Sequence, residues 1–153
     1  MLDISELMTP RRSLVIISPE ATVDEARRTM AAHAIRHLPV LDESGMMIGL
    51  VSQTDVLVAG NDGDRPVREI MVRELDVVDE RSNVRHAAMI MFRHKRSCLP
   101  VTRDGQLQGI VTDSDFLGVA ITLMEQLEAV EPEPEVESEI DAENVEMRDD
   151  VTS

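Results

Sequence analysis

Two matching segments of this chain set a hydroxyl residue three positions ahead of a carboxylate, Ser52-Gln53-Thr54-Asp55 and Thr112-Asp113-Ser114-Asp115. Each set follows a glycine and two branched apolar residues, Gly49-Leu50-Val51 and Gly109-Ile110-Val111. This spacing suits two kinds of chemistry. At the start of a helix the hydroxyl and the carboxylate satisfy the first free amides as a cap. The same groups can also hold a ligand, because a carboxylate accepts two hydrogen bonds from a cis-diol. A hydroxyl beside free N–H groups, in turn, suits a phosphate oxygen. The four residues leave both readings open, and a cap can itself face a ligand.

A phosphate needs positive charge nearby, and here the two copies differ. Arg36-His37 immediately precede Leu38-Pro39-Val40, whereas Ser97-Cys98 occupy the matching place before Leu99-Pro100-Val101. Lys95 and Arg96 lie one or two positions earlier, placed either to compensate or to sit as solvated cations at a helix end favoured by its dipole. Two unequal half-sites are expected.

The half-sites recur because a whole unit is written twice. Pro39 and Pro100 are 61 positions apart, while Gly49 and Gly109, and Asp55 and Asp115, are 60 apart, so the second turn is one residue shorter. Val23, Ala26, Met30 and His33 match Val84, Ala87, Met91 and His94 at the offset of 61, and Met8 matches Met71 further upstream. A repeat of this length implies a duplicated supersecondary unit. Each copy reads as a lead-in, an extended run (Leu14 to Ile17; Leu75 to Val78), a helix, a hairpin and a second helix. The fold class is therefore α/β of the α+β kind, two β-α-β-β-α units packed as a pseudo-twofold pair.

Local signals agree. Thr22-Val23-Asp24-Glu25 is a capping box, and Ser82 or Asn83 can open the matching helix. Asp104-Gly105 is a two-residue hairpin turn, and Glu43-Ser44-Gly45 is its longer counterpart. The expected organisation is a first repeat over residues 1–61, a hinge at Gly60 to Pro66, a second repeat over 62–129 and a tail over 130–153. A repeat of roughly 60 residues buries too little surface to be comfortably stable alone, so the two are expected to fold as one body.

Composition narrows the function classes. The 153 residues include two phenylalanines and no Tyr or Trp, so there is no aromatic platform for stacking nucleic-acid bases. The net charge of −15 is concentrated at one end, for from Glu125 onward there are twelve Asp and Glu against one Arg. That stretch has little that could form a core, and it reads as a disordered, acidic, solubilising tail. Duplex nucleic acid is excluded as a partner by charge repulsion. The single Cys98 cannot form an intramolecular disulfide; it sits at an apolar strand entry and reads as a small core residue. With no leader and no apolar run of about 18 residues, a cytoplasmic location and no membrane partner are expected.

Other chemistry-bearing residues read as structural. His33 and His94 sit at helix ends, His86 has no metal-ligand spacing to a second His or Cys, and no metal site is expected. Asp113 and Asp115 suggest a metal-dependent hydrolase only weakly, since no separate nucleophile, general base or phosphate-cradling glycine loop accompanies them.

Taken in order, these motifs resemble a tandem pair of CBS domains, the module named after cystathionine β-synthase, over about residues 3 to 125. The resemblance is carried by Leu7-Met8-Thr9-Pro10 and Ile70-Met71-Val72-Arg73, by the paired Leu-Pro-Val entries, and by the two Gly-hydrophobic-x-Ser/Thr-x-x-Asp signatures. It implies two clefts that in many members take adenine nucleotides or related adenosyl ligands. Asp55 and Asp115 would grip ribose hydroxyls, Ser52 and Thr112 would meet phosphate, and the backbone around Ile16-Ile17 and Val77-Val78 would frame the base. Arg36 and His37 match basic positions that contact phosphate in nucleotide-sensing relatives. The implied function is regulatory and not enzymatic: a stand-alone homodimer that senses AMP, ADP or ATP, with S-adenosylmethionine as a secondary candidate, and acts on a protein partner in trans. It needs no cofactor. The alternative is a structural dimerisation module whose clefts stay empty.

Overall fold

Thr22 opens the first long helix as its sequence requires, its hydroxyl accepting the amide of Glu25 at 3.1 Å. In this computed structural model, which describes residues 2–130, the helices are α1 Ile4–Leu7, α2 Val23–His33, α3 Gln53–Ala59, α4 Val84–His94 and α5 Asp113–Val130. The strands are β1 Thr9–Pro10, β2 His37–Leu41, β3 Met47–Ser52, β4 Val78–Asp79, β5 Cys98–Arg103 and β6 Gln106–Thr112. This is the mixed α/β architecture expected, with each repeat built on an antiparallel hairpin. The acidic tail expected over 130–153 lies, beyond Val130, outside the described residues.

The hairpins follow their turn chemistry. Asp104 and Gly105 take φ of 51° and 80°, the doubly positive turn that suits the right-handed twist of a hairpin. In the first repeat the longer turn is organised by Asp42, whose Oδ1 accepts the amides of Ser44 and Met46. Of the two caps open for α4, Asn83 supplies it, accepting the amide of His86 at 2.8 Å.

The expected extended runs are short in the structure. Leu14 to Ile17 forms a single parallel bridge, Ile17 to Val40, and Leu75 to Val78 contributes β4, where Val78 pairs in parallel with Val101. The pairings are equivalent, since both partners lie 61 positions apart.

The lead-ins cross over between the repeats. β1 pairs with β6, setting Thr9 opposite Ile110 and Pro10 opposite Gly109, while Val72 bridges to Leu50 on β3. Each sheet is therefore completed by a segment from the other repeat. Both crossings require a glycine, because a Cβ at Gly49 would collide with Met71 and one at Gly109 with Met8 and the Thr9 backbone. The cores follow the same exchange. Val67 and Met71 pack with Ile17, Val23, Met30, Leu38, Val40, Val51 and Val56, whereas fully buried Ile4 belongs to α1, which packs on α4 and β6.

The segment from Gly60 to Pro66 is not a free hinge. The carbonyls of Arg65 and Gly63 accept the amides of Val23 and Asp24, two of the donors that the start of α2 leaves without helical partners. Two units are distinguished along the chain, Met1–Asp115 and the part from Phe116 onward. Within the second, helical residues Leu117, Ile121, Met124 and Leu127 are all more than half exposed.

Candidate functional site

The crossover brings the first repeat's lead-in against the end of β6, and a cleft of about 260 Å³ opens there. Leu14, Val15, Ile35 and Ile110 give it apolar walls. Arg36 and His37 line it where the chain enters β2, and Thr112, Asp113 and Ser114 where β6 passes into α5. The site is thus composite, with Arg36 and His37 from one repeat and its hydroxyl and helix start from the other.

Local backbone bonds fix this geometry. Asp113 donates its amide to the carbonyl of Ser97, and Gln53 donates to Arg36 in the matching position, so each helix start is tied to the strand entry of its own hairpin. His37 and Cys98 stand opposite Ser52 and Thr112 in the two ladders. Burial lowers the pKa of the His37 imidazole from its ordinary value, and neighbouring Arg36 lowers it further, against the opposing pull of Asp113 and Asp55. Cys98 is buried, and desolvation, with help from Asp113 and Asp115, pushes its thiol up to about 12. It is an unreactive core thiol.

The hydroxyl–carboxylate pairs are helix caps in this structure. Ser52 accepts the amide of Asp55 at 3.2 Å while Asp55 Oδ2 accepts the amide of Ser52 at 2.8 Å, a reciprocal box. The second copy is one-sided. Asp115 Oδ2 accepts both the amide of Thr112 at 2.8 Å and its hydroxyl at 3.2 Å.

Arg36, His37 and Thr112 line the cleft, whereas Ser52, Asp55 and Asp115 are not among its lining residues. From the lead-in the cleft lining takes Leu14 and Val15, two residues ahead of the Ile16-Ile17 expected to frame a base. Ile17 is buried in the core, and its backbone is already engaged, its amide by Pro39 and its carbonyl by Leu41. In the second repeat Val78 is likewise buried in its ladder and Val77 is partly exposed. Asp113, treated above only as a metal candidate, is a further lining residue. Among the described residues no group of three or more His, Cys, Asp and Glu converges on a metal-binding position, and no helix is long and apolar enough to cross a membrane.

The chain belongs to the CBS domain family, whose model matches it twice, over residues 4–62 and 67–122. It is 38% identical over 105 residues to an inosine-5'-monophosphate dehydrogenase from Korarchaeum cryptofilum, a match covering 68% of this chain but only 22% of that enzyme. Among solved structures it resembles CBSX2 from Arabidopsis thaliana, determined in complex with AMP, at 27% identity and a TM-score of 0.73, covering 81% of this chain and 99% of that one. It also resembles the CBS domain pair of protein MJ0100 in complex with 5'-methylthioadenosine and S-adenosyl-L-methionine, at 26% identity and a TM-score of 0.69, covering 78% and 95%.

Proposed function

We propose that this chain is a regulatory, non-enzymatic module whose cleft takes an adenosine-containing ligand of the AMP, ADP or ATP class, and that it transmits occupancy to a protein partner in trans. The observation that carries this reading is the composition of the cleft: aliphatic walls from Leu14, Val15, Ile35 and Ile110, with Arg36, His37 and Thr112 in the same lining. A volume of about 260 Å³ lies just under the roughly 300–1,000 Å³ of typical ligand sites, which suits a nucleoside held inside with its phosphate at the rim. Asp115 takes both Thr112 bonds on Oδ2, and on this reading its Oδ1 accepts from a ribose hydroxyl. That CBSX2 was determined with AMP, and the CBS domain pair of MJ0100 with 5'-methylthioadenosine and S-adenosyl-L-methionine, supports the ligand class. Regulation requires the ligand to prefer one arrangement of the protein over another, since equal affinity for both shifts nothing.

The test is a thermal-shift panel of AMP, ADP, ATP, cyclic dinucleotides, NAD and S-adenosylmethionine on the purified chain. A ligand at a hundredfold excess over its Kd stabilises by about 2.7 kcal/mol, readily visible as a raised Tm. The capping bonds of Asp55 and Asp115 favour one rival, a dimerisation module with empty clefts, and melting curves unmoved by every compound would select it.

A further inference from the structure

The second repeat does not reproduce the apolar wall of the cleft. At the offset of 61, Val15 is replaced by Asp76 and Ile35 by Arg96. The backbone places these residues equivalently. Ile17 and Val78 make the same parallel pairing, and the preceding helices end alike at Ala34 and Lys95, with φ of 53° and 54°. Where the first repeat has two aliphatic side chains, Asp76 Oδ2 accepts a hydrogen bond from Arg96 Nε at 2.8 Å and lies 2.9 Å from His94 Nδ1. Arg96 is thus committed to a carboxylate of its own repeat and does not take over the phosphate-facing place that Arg36 holds in the first.

We propose that the Asp76–Arg96–His94 cluster latches the second half-site, so that the chain takes one adenosine-class ligand, in the first cleft only. The inference rests on the reading of the first cleft given above. A purine enters between Val15 and Ile35 because both partners shed water from apolar surface. In the matching slot it would strip water from a carboxylate and disrupt charge-assisted bonds with nothing to replace them. Arg96 and His94 are about half exposed, so the cluster itself contributes little to stability. Its effect is on which ligand can enter, and removing it should leave the fold standing.

Calorimetry with AMP on the full chain reads the stoichiometry directly. The expected result is one AMP per wild-type chain and two in Asp76→Val/Arg96→Ile, which rebuilds the first repeat's wall in the second. Asp76→Asn keeps the shape of the slot and releases Arg96 toward a phosphate, so it should also add a second, weaker site, and it serves if the double variant does not fold. Two AMP per wild-type chain would overturn the latch, as would folded variants that bind no more AMP than the wild type. No AMP on the wild type with one on a variant would uphold the latch and overturn the first-cleft reading. None on any of the three would overturn both.

Discussion

Gly109 faces Thr9 so closely that a side-chain carbon on the glycine would stand 2.5 Å from the Thr9 carbonyl oxygen. The contact is the point at which the N-terminal lead-in enters the sheet of the second repeat and forms one wall of the cleft. Backbone cannot retreat there without breaking the β1–β6 pairing, so Gly109→Ala is expected to destabilise by about 1–3 kcal/mol. Gly49→Ala should cost less, because its obstacle is the flexible side chain of Met71. Urea unfolding of the two variants makes the comparison, and equal losses would contradict it.

Ala34 ends α2 in the left-handed region at φ 53°, where the amide of Ile35 closes the helix on the carbonyl of Met30. An L-residue carries a penalty of roughly 1–2 kcal/mol in that conformation, and glycine does not. Part of the gain is lost to the greater freedom of glycine in the unfolded chain. Ala34→Gly is therefore expected to stabilise by about 0.5–1 kcal/mol, read from the denaturation midpoint. A lowered midpoint would show that the alanine methyl packs usefully.

His37 imposes a pH dependence of definite sign. Burial, with Arg36 beside it, holds its folded pKa below the ordinary value. As pH falls through about 6.5 the unfolded chain takes up this proton first, so the stability linked to neutral His37 is full above that range and is lost as the pH drops below it. His37→Gln should flatten this part of the profile between about pH 7.5 and about pH 5.5. Parallel profiles for variant and wild type would remove His37 as the cause.

Charge at the cleft mouth should sort ligands by phosphate number. With His37 neutral near pH 7, the lining carries one cation, Arg36, and one carboxylate, Asp113, leaving little net charge to offset a triphosphate. AMP is expected to bind more tightly than ATP, and Asp113→Asn should narrow the gap. Arg36→Ala should weaken AMP by about 1.5–3 kcal/mol, the range for a hydrogen bond to a charged group, and leave adenosine nearly unchanged. Equal losses for AMP and adenosine in Arg36→Ala would show that this side chain supports the fold and does not read phosphate.

The exposed apolar row on α5, with Leu117, Ile121, Met124 and Leu127 all more than half accessible, is expected to be covered in a homodimer. Light scattering should give twice the 17.1 kDa of the chain. Leu117→Glu/Ile121→Glu should return it to the single-chain mass, and an unaltered mass would place the dimer contact elsewhere.

The repeat, its hairpins and its caps were legible in the sequence because each depends on a few neighbouring residues: Thr22 with Glu25, Asp104 with Gly105, Ser52 with Asp55. The exchange of lead-ins was not, since nothing local to Thr9 announces that its partner is Ile110. For the same reason the unequal charge of Arg36-His37 against Ser97-Cys98 could be read directly, whereas the pairing of Arg96 with Asp76, twenty positions away, could not. That the lead-in lines the cleft with Leu14-Val15 and not with Ile16-Ile17 could not be read either, because an apolar run shows no register until its backbone partners are known.

The crossing of β1 onto β6 also sets an order of events as the chain is made. Thr9 is synthesised about a hundred residues before Ile110, so the lead-in has no sheet to join until the second repeat has formed. Meanwhile Val67 to Val72, which complete the first repeat, arrive soon after its hairpin and close it early. The last step is then the return of the oldest segment, a long-range contact that is slow to form. Until it returns, the Leu14–Val15 side of the cleft lacks its facing wall, so the first repeat can be complete while the cleft is not.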